Sequence, residues 1–65
     1  MIRLTRLNGS DFVLNCELIE TVEATPDTVI TTVNGKKFIV MESIEKIVEE
    51  VIQYKKSIFL ADRID

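Results

Sequence analysis

Histidine is absent from these 65 residues, cysteine occurs once and glycine only twice. Without histidine, and with Cys16 alone, there is no credible zinc set and no internal disulfide. Catalysis requires a nucleophile, an acid/base group or a metal held in a cleft. The only thiol directly follows Asn15, where a strand is expected to stop, so Cys16 reads as a small core residue. No enzyme, cofactor or metal site is expected. Nor is membrane insertion, since no apolar run approaches the roughly 20 residues that span a bilayer. The chain opens at once on the alternating Ile2-Arg3-Leu4-Thr5, unlike a signal peptide. Together with one unpaired thiol this leads to the expectation of a cytoplasmic protein. Basic residues are also in short supply: eight Lys and Arg stand against eleven Asp and Glu, a net charge of −3. That balance argues against a surface built for a phosphate backbone.

What the chain does contain is a module written twice. Leu7-Asn8-Gly9-Ser10-Asp11-Phe12-Val13-Leu14 is echoed 26 residues later by Val33-Asn34-Gly35-Lys36-Lys37-Phe38-Ile39-Val40. Asn-Gly between apolar alternations is a strong hairpin signal, and a two-residue turn there would hold both central residues at positive φ. Alternation from Ile2 to Leu7 predicts a first strand, and Phe12-Val13-Leu14 a second. Asn15 is placed to cap one short helical turn through Cys16, Glu17 and Leu18. A third strand follows at 19–24, with imperfect alternation among Ile19, Val22 and Ala24. Thr25-Pro26-Asp27-Thr28 reads as a turn. The β-branched run at 29–33 and the segment 37–41 supply the fourth and fifth strands.

Ser43 reads as the N-cap of a single helix, with Glu45 in its first turn. Ile44, Ile47, Val48, Val51, Tyr54 or Lys55, and Ile58 follow the spacing of an apolar stripe, predicted to cover one face of the sheet. The expected architecture is therefore α+β: a small five-stranded antiparallel hairpin meander with one C-terminal amphipathic helix. It forms a single domain over 1–58, followed by a frayed tail at 59–65. Ile52 and Phe59, seven residues apart, make the apolar surface wider than one sheet contact needs, and are candidates for docking or self-association. Domains this small commonly lean on disulfides, metals or oligomerisation, and here only self-association remains.

Among the charged residues, Glu17, Glu20 and Glu23 recur every third position and fit a solvent-facing edge better than a ligand set, because no second ligand type accompanies them. Glu49 and Glu50 read as an outer helix face. Arg3 and Arg6, with Lys36 and Lys37, form the only basic cluster. Such residues keep a sheet edge soluble, or supply the positive half of an interface.

Taken together, Leu4-Thr5-Arg6-Leu7-Asn8-Gly9, Phe12-Val13-Leu14-Asn15 and the run from Glu17 through Glu23-Ala24-Thr25-Pro26-Asp27-Thr28 closely resemble the FlbD family of small flagellar proteins. The resemblance continues through Asn34-Gly35-Lys36-Lys37-Phe38 and Glu42-Ser43, covers residues 1–58 and leaves the tail unmatched. It implies a non-enzymatic cytoplasmic accessory protein of bacterial flagellar motility, placed peripherally at the flagellar base. Its implied task is to support motor power and swarming through contacts with motor or stator proteins. The family supplies no catalytic residues. Arg3, Arg6, Glu20, Glu23, Asp27 and Lys37 are the polar candidates for partner binding that the matched motifs contain.

Met1-Ile2-Arg3-Leu4-Thr5-Arg6, with Gly9 shortly after, is also similar to the opening of CsrA-type RNA-binding regulators, which are short, five-stranded and end in a helix. Their RNA contact uses basic residues on the first strand and near the end of the last. Here the fifth strand ends Val40-Met41-Glu42, apolar and acidic, and the acidic balance of the chain disfavours nucleic acid, DNA included.

Overall fold

The computed structural model describes residues 1–64, and side chains as far as Ile58. The order of elements is β1 (Ile2–Thr5), β2 (Asp11–Leu14), a 3-10 turn (Cys16–Leu18), β3 (Ile19–Ala24), β4 (Thr28–Thr32), β5 (Lys37–Val40) and α1 (Ile44–Ile64). This is the expected α+β arrangement of five antiparallel strands and one C-terminal helix. The strands divide between two sheets, β1-β2 and β3-β4-β5. The division has a local cause. Asn15 ends β2, and its side-chain oxygen accepts the Glu17 N–H at 3.0 Å, capping the 3-10 turn that carries the chain away before β3 begins. β2 and β3 therefore never form a hairpin. The two sheets meet instead where Arg6 bridges Val40 and the Met41 N–H donates to the Thr5 carbonyl at 2.8 Å.

Both Asn-Gly pairs turn hairpins, but with three-residue loops. The Gly9 N–H donates to the Arg6 carbonyl and the Arg6 N–H to the Ser10 carbonyl; Gly35, Thr32 and Lys36 repeat the pattern. In such a loop only the last residue needs positive φ. Gly9 and Gly35 have φ of +91° and +85°, whereas Asn8 and Asn34 stay at negative φ, which corrects the two-residue turn inferred from sequence. The asparagines act through their side chains. Asn8 Oδ1 accepts the Ser10 N–H and hydroxyl at 3.0 and 2.7 Å, and Asn34 Oδ1 accepts the Thr32 hydroxyl.

The duplication reaches further back than the echo in sequence. In the first hairpin Ile2 pairs with Leu14 and Leu4 with Phe12; in the second, Thr28 pairs with Val40 and Ile30 with Phe38. Each pair in the second hairpin is the first shifted by the same 26 residues, so the registers are identical. Opposed residues share a face. The core is accordingly built from equivalents: Leu4 and Ile30 are both 0% exposed, and Ile2, Leu14, Thr28 and Val40 are all buried. Ile47 from α1 completes it, with Cys16 buried at its margin as expected.

The irregular alternation in β3 is a bulge. Ile19 pairs with Thr32 but Thr21 with Thr31, leaving Glu20 as the extra residue. The bulge lets Ile19 and Val22, three apart, both pack against the core, while Ala24 stays exposed. Ser43 caps α1 as read from sequence, its Oγ accepting the Lys46 N–H at 3.1 Å. At about 1.5 Å per residue the 21-residue helix is roughly 31 Å long, against strands of four to six residues. It outruns the sheets. Val48 and Ile58, predicted to face inward, are exposed for different reasons: Val48 lies to one side of the contact centred on Ile47, whereas Ile58 lies on the part of the helix that runs beyond it. The helix is assigned through Ile64. The side chain of Phe59, and the frayed tail expected at 59–65, lie outside the described side chains.

Candidate functional site

The two copies of the module meet at their leading aromatics. Phe12 and Phe38 stack with ring centroids 5.3 Å apart and planes inclined by 28°. Arg6, one residue beyond β1, lays its guanidinium carbon 4.2 Å from the Phe12 centroid and 5.8 Å from that of Phe38. A cation over an aromatic face is worth about 0.5–1 kcal/mol at an exposed site. Arg6 therefore has a structural occupation that its place in a basic cluster did not reveal. Arg3 sits opposite Val13 on β1 and Lys37 opposite Thr31 on β5, both at exposed positions facing away from the core. The three basic candidates do not form one patch: Arg6 serves the core side of its hairpin, Arg3 and Lys37 the other face.

The acidic candidates also separate. Glu20 occupies the bulge, and Glu23 sits opposite Val29 on β3. Glu17 turns to Lys55 at 3.1 Å, tying the 3-10 turn to α1, and this partner raises the Lys55 pKa. Both groups are well exposed, so the pair contributes little to stability. Asp27 belongs to the exposed three-residue loop between the paired Ala24 and Thr28, after a cis Thr25–Pro26 bond.

A carboxylate outside the candidate set holds the junction between the sheets. Glu42 accepts the Thr5 N–H at one oxygen and the Thr5 hydroxyl at the other, both at 2.9 Å. Burial by itself raises the Glu42 pKa, but the two bonds from Thr5, its own backbone N–H and nearby Lys46 outweigh that and hold it below its ordinary 4.5. A folded-state value below the unfolded one stabilises the fold at neutral pH. That contribution is lost as pH falls from about the ordinary 4.5 through the folded value. Glu42→Gln should cost about 1 kcal/mol at neutral pH, the scale of one weakened charge-assisted bond. It should also lose less stability than the parent chain on acidification, read from urea midpoints at neutral and acid pH. Equal acid sensitivity in the two chains would remove Glu42 as a titrating clamp.

One opening beside the core is apolar. A cleft of about 280 Å³ lies between α1 and the edge strand β3, lined by Cys16, Ile19 and Val22 on one side and by Val48, Val51 and Ile52 on the other. Val48 and Ile52 are 49% and 48% exposed, so the cleft runs out onto an open helix face. Ile52 was a candidate from sequence. Val48 was assigned to the core stripe; only the position of the sheet beneath α1 distinguishes it from Ile47. A second cleft, about 390 Å³, lies by Leu7, Pro26 and Met41 and carries no charged group other than Asp27.

A family model described as FlbD, flagellar and swarming motility proteins, matches residues 1–59. Searches of curated proteins and of solved structures gave no match. No helix among the described residues is long and apolar enough to cross a membrane.

Proposed function

The chain belongs to the FlbD family of flagellar and swarming motility proteins, and on that premise we propose that it supports flagellar motor power through protein contacts, acting with or upon the stator. The family match over 1–59 carries the motility role. The contact mode is supported by the disposition of the reactive and charged groups. Cys16 is buried, Glu42 is committed to Thr5, Arg6 to two rings and Glu17 to Lys55, whereas the apolar residues Val48 and Ile52 stand open beside an edge strand. A contact protein of this kind works from the cytoplasmic side, peripherally at the flagellar base, and is not an enzyme.

The test is the torque of individual motors in cells lacking this protein, with filaments counted on the same cells. Low torque with normal filament number is the expected result. Normal torque would contradict the motor reading and move regulation of RNA, the reading that rests on Arg3 and Arg6, ahead of it.

A further inference from the structure

We propose that two copies of this chain pair through α1, antiparallel about a two-fold axis near Ile52. The inference does not depend on the motility reading; it rests on how α1 distributes apolar and charged residues. At about 100° per residue, Glu45, Val48, Glu49, Ile52 and Lys56 share one face of the helix, turned away from the Ile47 contact with the core. All five of these residues are exposed, so the face is open in the single chain.

Charge sets the partner and its direction. The first half of the face carries Glu45 and Glu49 and the second half Lys56, while the neighbouring Lys55 is engaged by Glu17 of its own chain. Among the described residues Glu45, Glu49 and Lys56 make no ion pair, whereas Lys46 is engaged with Glu50 at 3.4 Å on another side of the helix. An axis at Ile52 sets Glu49 of one copy beside Lys56 of the other, because the two lie on the same side of Ile52 around the helix, three and four residues from it along the chain. The acidic half of each helix then faces the basic half of its partner, and Ile52 meets Ile52. A parallel pair would set Glu49 against Glu49 and Lys56 against Lys56. The face is thus self-complementary in one orientation, which an isologous two-fold contact requires.

The alternative self-contact, through the edge of β3, brings Glu20 and Glu23 of one copy toward those of the other and begins at a bulge, both of which block strand pairing. Pairing through α1 also extends over the cleft, because Val48 and Ile52 line it. It supplies apolar cover to a helix that outruns its own sheets, in a domain small enough to benefit from association.

Sedimentation velocity on the purified full chain over a concentration series tests this. The expected mass rises from 7.4 kDa to twice that value within the micromolar range. Lys56→Glu and Glu49→Lys, each altering two symmetry-related contacts, should weaken association about tenfold. The combined Glu49→Lys/Lys56→Glu chain should recover most of the loss. Ile52→Glu should be monomeric with an unchanged circular dichroism spectrum. A chain monomeric throughout the series overturns the proposal and leaves the face to a different protein. So does a dimer indifferent to Lys56→Glu, a double variant weaker than either single one, or an Ile52→Glu chain that unfolds. None of these outcomes bears on motor torque, so failure here and failure of the motility reading are separately visible.

Discussion

Ile30→Ala should remove about 3 kcal/mol of stability. Ile30 is 0% exposed at the centre of the three-stranded sheet, and truncating such a side chain costs about 2–5 kcal/mol, the lost transfer term plus the cavity left behind. A chain of 65 residues holds roughly 3–10 kcal/mol in total, so one substitution consumes a large part of it. Identical registers make a sharper expectation. Leu4 is the equivalent of Ile30 in the first hairpin and equally buried, so Leu4→Ala should cost a similar amount. Ile39→Ala, on the outer face of β5 and 46% exposed, should cost under about 1 kcal/mol. Urea denaturation at one fixed protein concentration measures all three. A loss below about 1 kcal/mol at Ile30 would mean the two hairpins do not share a tightly packed core.

Two isoleucines on the same helix should respond in opposite ways to the same substitution. Ile47 is 1% exposed and packs into the core, whereas Ile52 is 48% exposed on the open face. A glutamate at 47 would put a carboxylate among Leu4, Ile30 and Val40, where no partner is available to offset its desolvation. Ile47→Glu should therefore fail to fold at neutral pH. Ile52→Glu should fold, with a change in stability of about 1 kcal/mol or less as a monomer, because the new charge stays in water. Circular dichroism and thermal melts distinguish the two. A pair of variants that both unfold would make the whole stripe core, and the open face would disappear from the account.

How much of this was legible beforehand depends on the range of the interaction. Asn8-Gly9 and Asn34-Gly35 announce hairpins because turn chemistry is local, and Ser43 marks the helix start for the same reason. Asn15 capping the 3-10 turn was readable on the same grounds. The loop length was not, because Asn-Gly suits both a two-residue turn and a three-residue loop. The choice lies in whether Arg6 or a nearer residue closes the ring with Ser10. The backward extension of the repeat was hidden because its equivalents differ chemically: Ile2 corresponds to Thr28, and Arg6 to Thr32, in the same structural places. Glu42 clamps Thr5 across 37 residues, and Arg6 covers Phe38 across the junction of the sheets; neither pairing leaves a periodic trace. Val48 and Ile47 are neighbours in a helical stripe, and which one faces water depends on where the sheets end.

The surface candidates fared according to the same rule. Arg3, Glu20, Glu23 and Lys37 are on the surface, as charged residues on alternating strands should be, but are spread over separate positions instead of converging. The continuous feature is apolar: the cleft beside β3 opening onto Val48 and Ile52. The family acts in flagellar and swarming motility, and for the proposed contact role the open face of α1 around Val48 and Ile52 is the surface to test, whether its occupant is a second copy or a motor protein.

That role is tested most directly by single-motor torque in cells lacking the protein and supplied with the Ile52→Glu chain, at an abundance matched to cells supplied with the parent chain. Torque as low as in cells with no protein, with filament number unchanged, is the expected result. Full torque from Ile52→Glu would contradict it, and would show that motor power does not pass through the open face of α1.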